Sequence, residues 1–156
     1  MSWVTDAIKQ TVPFKTMAQE ATIALMLTVD VLRGHFERIL DPHGITTQQY
    51  NILRILRGAG TDGLPTMDIG DRLIEKSPGL TRLIDRLEKK GLVLRLRCET
   101  DRRQVFCKIT KDGLQLLAKI DAIVNKMEHQ VLDDLTQAEQ KKLMELLHKV
   151  YQGVPE

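Results

Sequence analysis

The chain of 156 residues contains only two cysteines, Cys98 and Cys107, and no apolar run long enough to cross a membrane. Two cysteines cannot form the disulfide framework of a small secreted domain, so a reducing compartment is the simpler inference. The most apolar stretch, residues 23–32, has about half the length of a membrane span and contains Asp30. The first residues lack the basic start and apolar segment of a signal peptide. We therefore expect a soluble cytoplasmic protein that does not enter a membrane.

Groupings of residues that would indicate catalysis or a metal site are also missing. The sequence contains no glycine-rich phosphate loop, no nucleophile elbow and no paired-carboxylate motif. Its four histidines, at positions 35, 43, 129 and 148, lack the short spacing of metal ligands. We expect no enzymatic activity, no cofactor and no bound metal.

The charge of the chain is unevenly distributed. Residues 72–111 contain twelve Lys and Arg and five Asp and Glu, a net charge of +7. Because the whole chain carries +2, the remainder carries −5. A basic block in an otherwise acidic molecule attracts phosphate to one part of the surface and repels it elsewhere. Charge alone is equally compatible with an ordinary solvated surface.

Apolar spacing predicts several helices before the basic block. After a short helical turn around residues 3–9, a long helix covers residues 16–40 and is apolar almost all round in its middle. Thr46 and Gln49 have the form of a capping box for the next helix. Thr66 is a candidate cap for a short third helix, after a loop that ends near residue 65.

The fourth helix has the most regular pattern in the chain. Ser77 occupies a plausible N-cap position and Pro78 the first helical position, where a missing amide costs nothing. Gly91 can supply the left-handed residue that ends the helix. Apolar residues recur at the i, i+3, i+4, i+7 spacing of one buried face: Leu80, Leu83, Ile84 and Leu87.

Beyond Gly91 the apolar period changes to two, which predicts a two-stranded hairpin with one face buried. Cys107 fits the inward face of the second strand. Thr110 then begins a long helix whose narrow apolar seam suits a coiled-coil-like contact. Thr136 and Glu139 form a second capping box, for the last helix.

This order of elements predicts a mainly α single domain, residues 1–156, with six main helices and a two-stranded wing. Residues 46–110 form a winged helix-turn-helix lobe, an α+β unit. Residues 16–45 and 111–151 are too apolar to be exposed, so we expect them to dimerise two copies about a two-fold axis. The two reading helices would then lie about 34 Å apart and face a near-palindromic site.

Three segments of the sequence resemble the MarR family of bacterial transcriptional regulators. They are LTRLIDRLEKKGLV at residues 80–93, DRR at 101–103 and ITKDG at 109–113, which match the family's recognition helix, wing tip and post-wing helix. The likeness in element order extends over about residues 16–151. The resemblance implies an obligate dimer that binds operator DNA, usually as a repressor, and is often released by a small aromatic or phenolic effector.

The fourth helix is the predicted reading helix, and its open side carries Pro78, Thr81, Arg82, Arg86 and Lys89. Thr81 can contact a base, a thymine methyl group or a phosphate. Arg82 and Arg86 can each bind guanine or phosphate through two parallel hydrogen bonds. Arg86 can alternatively pair with an acid of its own helix. For Ser77, the preceding residue, helix capping and phosphate binding are compatible roles.

The wing carries a second group of candidate DNA contacts. Arg97, Arg102 and Arg103 cluster near the tip of the hairpin, and arginine is favoured in narrow minor grooves. The resemblance gives Asp101 the role of holding the wing by hydrogen bonds. It makes Arg95 a DNA-backbone contact or an internal salt-bridge partner. Which arginine enters the groove stays open.

The sequence is also compatible with two other functions. A winged helix can instead bind an acidic protein through its basic face. Cys98, close to the wing arginines, can have a lowered pKa and sense oxidants. The resemblance makes His35 and His43 candidate effector contacts, since they lie near the end of the first long helix.

Overall fold

The computed structural model describes residues 2–76, 78–97 and 104–155. Within them the chain is mostly helical and contains a small antiparallel sheet. Along the chain, one strand of this sheet comes just before the fourth helix, and the other two come between the fifth and sixth helices. The helices are α1 (Trp3–Ala7), α2 (Met17–Leu40), α3 (Thr47–Gly58), α4 (Thr66–Arg72), α5 (Leu80–Lys89), α6 (Lys111–Leu132) and α7 (Gln137–Gly153). The strands are β1 (Leu64–Pro65), β2 (Val93–Arg97) and β3 (Val105–Ile109), and a 3-10 turn at Asp41–His43 follows α2. The predicted winged helix-turn-helix class is confirmed.

Three helix starts follow the capping pattern of the sequence. The Thr46 hydroxyl accepts a hydrogen bond from the Gln49 amide, and the Gln49 side chain accepts one from the Thr46 amide. Thr136 and Glu139 form the same reciprocal pair at α7. At α6 the Thr110 hydroxyl accepts from the Gly113 amide over 3.0 Å. Each pair satisfies amides that a helix start leaves without intrahelical partners.

Two other helix starts differ from the prediction. Thr66 lies inside α4, whose N-cap is Pro65, and its hydroxyl donates to the carbonyl of Val105 instead. The helix α5 begins at Leu80 with Gly79 as N-cap, so Pro78 lies in the preceding turn and not at the first helical position. Ser77 lies outside the described residues.

The sheet has three strands, in the order β1-β3-β2, instead of the two predicted. Leu64 pairs with Cys107 and Pro65 with Phe106, so part of the predicted loop adds a strand to the hairpin. Gly63, with φ +75°, makes this approach possible, because a Cβ there would collide with the Cys107 carbonyl oxygen. The two-residue strand is too short to produce a period in the sequence.

The hydrophobic core lies mainly in the lobe formed by α3, α4, α5, the sheet and the first half of α6. The hairpin buries the face that carries Val93 and Cys107, while Leu94 and Leu96 are 53% and 43% exposed. The side chains with no exposure include Ile52, Leu53, Leu56, Ile69, Ile84, Leu87, Leu117 and Ile120.

The two arms of the chain, α2 and α7, contribute little to this core. Leu40 is the one buried residue of α2, and α7 has none. Large apolar side chains are therefore exposed on both helices: Met17, Met26, Val29 and Val31 on α2, and Leu143, Met144, Leu146, Leu147, Val150 and Tyr151 on α7. None of the helices in the described residues is both long enough and apolar enough to span a bilayer.

Candidate nucleic-acid interface

The position of α5 follows from its apolar face. Leu83, Ile84 and Leu87 are buried in the core, as the sequence pattern predicts. The opposite face is exposed and carries Thr81, Arg82, Arg86 and Lys89, with Pro78 exposed in the turn before the helix. The helix ends at Lys89 with Lys90 as C-cap, and Gly91, with φ +71°, is the predicted left-handed exit. The structure thus presents a row of cations on the outer side of one short helix.

The outer cations of α5 are not neutralised by neighbours in the described parts of the chain. Neither Arg82 nor Arg86 forms an ion pair there, so the salt-bridge alternative for Arg86 receives no support. The two acids of α5, Asp85 and Glu88, are both bound by Arg95 from the wing. This leaves the guanidinium groups of α5 available for an external anion.

Arg95, on β2, makes a set of contacts with α5. Its Nη1 donates to Asp85 Oδ1 and, over 3.3 Å, to Glu88 Oε2, and its Nη2 donates to the Thr81 carbonyl over 3.1 Å. Burial lowers the pKa of the guanidinium, but the hydrogen bond to Asp85 and the charges of both acids raise it overall. Of the two roles that the sequence left open, these contacts match the internal salt-bridge partner.

The wing strands place Arg97 at the end of β2, opposite Val105, with its side chain exposed. The predicted tip residues Asp101, Arg102 and Arg103, and Cys98 beside them, lie outside the described residues. Cys107 is fully buried and its Sγ is 3.6 Å from the Thr66 hydroxyl. Burial raises the pKa of the Cys107 thiol, although Thr66 and Arg95 oppose that effect.

A polar junction that sequence reasoning missed connects α3 to α6. The Tyr50 hydroxyl donates to Asp121 Oδ1 over 2.7 Å, and Arg57 Nη1 pairs with Asp121 Oδ2. Burial alone would raise the pKa of the Asp121 carboxyl, but the hydrogen bonds from Arg57 and Tyr50 outweigh it and lower the pKa. Burial and the same contact raise the pKa of Tyr50. The one sequence signal was an acid beside the apolar seam of α6.

An apolar pocket of about 520 Å³ lies away from the cationic face, between α1, α2 and α6. His35 is among its lining residues, with Nδ1 2.6 Å from Arg38 Nη2, whereas His43 is not. Thr28 is a second polar residue of the wall, and its hydroxyl donates to the Ala24 carbonyl. The other lining residues are Trp3, Ala7, Leu27, Val31, Leu32 and Val131. Of the two histidines that the resemblance makes candidate effector contacts, His35 lines this pocket and His43 does not.

Comparison with known proteins identifies the family of this chain. Residues 45–105 match the sequence model of the MarR family. The homoprotocatechuate degradative operon repressor of Escherichia coli is 31% identical over 136 residues, which are 85% of this chain and 88% of that protein. The chain belongs to the MarR family of transcriptional regulators. The resemblance predicted from the recognition helix and wing segments is confirmed.

Solved structures of the MarR family agree with this assignment. A MarR transcription factor from Planctomyces limnophilus is 37% identical, with a TM-score of 0.68, over 87% of this chain and 98% of that one. NadR, in complex with 4-hydroxyphenylacetate, is 31% identical with a TM-score of 0.69, over 92% of this chain and all of that one. The described helices and sheet of this chain therefore form a MarR-type winged helix.

Proposed function

We propose that this MarR-family chain is a homodimeric repressor that binds a near-palindromic operator and releases it when a small aromatic or phenolic effector binds. The observation that carries the proposal is the outer face of α5. Arg82 and Arg86 are exposed there without ion pairs among the described residues, while both acids of the helix are bound by Arg95. A short helix with cations on its outer side fits the major groove of duplex DNA.

The wing provides the second contact with DNA in this proposal. Arg97 lies on the strand that leads toward the tip, and the resemblance adds Asp101, Arg102 and Arg103. Ser77 and Pro78 precede α5, where a helix start approaches phosphate most closely. Because Lys and Arg release counterions when they bind phosphates, operator binding should weaken steeply as salt is raised.

The exposed apolar faces of α2 and α7 support the homodimer. Leu146 and Val150 of α7 are 48% and 49% exposed within one chain, and they recur at helical spacing. A contiguous exposed apolar surface of this kind is typical of an obligate interface. We propose that a second copy covers it and that residues 16–45 and 111–151 provide the dimerisation helices.

The pocket between α1, α2 and α6 supports a small aromatic effector. Its wall is mostly apolar, with Trp3 and Val31 beside two polar side chains, Thr28 and His35. His35 Nδ1 lies 2.6 Å from Arg38 Nη2 and 3.2 Å from the Val31 carbonyl oxygen, so both contacts of the ring use Nδ1 and Nε2 is left for a ligand. The Thr28 hydroxyl already donates to Ala24 and can accept from a phenol. NadR was solved with 4-hydroxyphenylacetate, a ligand of this chemistry.

The test is a selection of duplexes from a random pool, followed by binding measurements on the enriched sequence. We expect a near-palindromic site, a dissociation constant that rises with salt, and release by 4-hydroxyphenylacetate or a related aromatic acid. His35→Ala should weaken the effector response and leave operator affinity unchanged. Equal affinity for selected and random duplexes would contradict the proposal and favour a protein partner for the basic face.

A further inference from the structure

Arg95 connects the wing to α5 through both its backbone and its side chain. The Arg95 amide donates to Glu88 Oε1 over 3.2 Å, while the guanidinium binds Asp85, Glu88 and the Thr81 carbonyl. These three partners are spaced four and three residues apart, so they lie along one face of α5. We call Arg95, Thr81, Asp85 and Glu88 the α5–wing joint.

Through these contacts Arg95 connects the outer wing strand directly to α5. β2 is an edge strand, and Arg95 lies opposite Cys107 in the register. The Arg95 amide points away from β3 and would be an open edge donor without Glu88. The Arg95 side chain is 24% exposed, less than its two acid partners, which are 42% and 39% exposed. The guanidinium is therefore enclosed between strand and helix.

The charges of the joint show how it contributes to DNA binding. One guanidinium faces two carboxylates, so the joint as a whole carries a charge of −1 at neutral pH. A negative cluster beside a face that binds DNA repels phosphate. Its contribution to binding must therefore be geometric, since its electrostatic contribution is unfavourable.

We propose that Arg95 is a positioning residue that fixes the wing relative to α5, so that helix and wing contact the same operator half-site together. This inference rests on the proposed DNA-binding function. In this inference Arg95 acts through Asp85 and Glu88 and not through a phosphate, since three hydrogen bonds of its guanidinium go to α5.

Asp85→Asn is the decisive variant, because geometry and electrostatics predict opposite effects. Removing an acid beside DNA should tighten binding if charge alone matters. If the joint positions the wing, affinity for the selected operator should fall about tenfold, the size of a coupling within one hydrogen-bonded network. Affinity for a random duplex should stay equal or rise. The hydroxyl-radical footprint should lose protection on the flank that the wing covers and keep it over the α5 contacts.

Asp134→Asn is the matched control. Asp134 is exposed in the turn between α6 and α7, so this variant makes the same change of charge away from the joint. It should leave the ratio of operator to random affinity and the footprint unchanged. Arg95→Lys is a second variant that keeps the positive charge and loses the planar fork of donors. Its footprint should lose protection on the same flank. Thermal unfolding should show a folded protein, and analytical ultracentrifugation should show a dimer.

The remaining outcomes separate this inference from the proposed function. Tighter operator binding by Asp85→Asn with an intact wing footprint would overturn the positioning role. So would a wild-type footprint for Arg95→Lys. An Arg95→Met variant that reduces the salt slope by about 0.9 per site, with Asp85→Asn behaving as wild type, would show a direct phosphate contact. A wild-type protein that binds no duplex would instead overturn the proposed function, and this inference with it.

Discussion

The winged-helix lobe and the two arms bury their apolar residues in different ways. In the lobe, Leu53 and Ile84 have no exposed surface within a single chain. On α7, Leu146 and Leu147 are 48% and 38% exposed although they follow an equally regular helical pattern. The lobe can therefore form its core alone, whereas the arms need a second surface to cover them. We infer that stability of the lobe and assembly through the arms can be changed separately.

The largest expected effect comes from a charge placed on an arm. Leu147→Glu should separate the dimer and abolish operator binding at concentrations where the wild type is saturated, because the interface would then bury one unpaired carboxylate from each copy in place of an apolar side chain. Analytical ultracentrifugation measures the assembly. Lys141→Gln makes the same change of charge on the opposite face of α7 and should stay dimeric. A dimeric Leu147→Glu protein would place the interface elsewhere.

A change on the outer face of α5 should weaken DNA binding and leave the dimer intact. Arg86→Ala should weaken operator binding by about 1–3 kcal/mol, the range for an arginine that contacts a base, and leave the dimer intact. Fluorescence anisotropy with the selected operator gives the affinity. Lys126→Ala removes an exposed cation from α6 and should bind as wild type. Equal losses in the two variants would mean that the basic block acts only through its overall charge.

A smaller loss is expected at the wing. Arg103→Ala should loosen the wing contact by about 1 kcal/mol and make the salt dependence of binding shallower, since one phosphate or minor-groove contact per half-site is removed. The slope of log affinity against log salt is the measurement. If the slope and the affinity of Arg103→Ala both equal those of the wild type, Arg97 or Arg102 occupies the groove instead.

The elements that could be predicted from the sequence depend on neighbours along the chain. The Thr46–Gln49 capping box and the apolar face of α5 involve residues at most a few positions apart, so their spacing contains the information. The features that the sequence did not predict depend on residues that are far apart in the chain and that folding brings together. Thr66 was predicted as a cap, but its hydroxyl meets the Val105 carbonyl 39 residues away. The role of Arg95 stays open in the sequence for the same reason, since its acid partners lie ten and seven residues away on another element.

The hairpin shows a second limit of sequence patterns. Alternation predicts that one face of the hairpin is buried. Both faces carry apolar residues, with Leu94 and Leu96 on one face and Val93 and Cys107 on the other. The structure buries the face of Val93 and Cys107, which also carries Arg95 toward the acids of α5, and it exposes Leu94 and Leu96. Which face is buried depends on packing against other elements, and alternation along the strand does not contain that information.

The junction of Tyr50, Arg57 and Asp121 lies inside the lobe, between α3 and α6, and it gives a prediction about stability. Asp121→Asn should lower the free energy of unfolding by about 1 kcal/mol at neutral pH, because the pair with Arg57 is partly solvated while the Tyr50 hydroxyl keeps an oxygen acceptor. Urea unfolding of both proteins measures the difference.

The pH dependence of that difference has a definite sign. The pKa of the Asp121 carboxyl is lowered in the folded chain, so its ion pair stabilises fully above the unfolded pKa, about 3.9, and the stabilisation is lost as pH falls through the folded pKa. The gap between wild type and Asp121→Asn should therefore be constant near neutral pH and close in acid. Asp134→Asn, which removes an exposed carboxylate without an ion pair among the described residues, is the control for the change of charge. A gap that widens on acidification would mean that burial raises the pKa of Asp121 more than the hydrogen bonds from Arg57 and Tyr50 lower it.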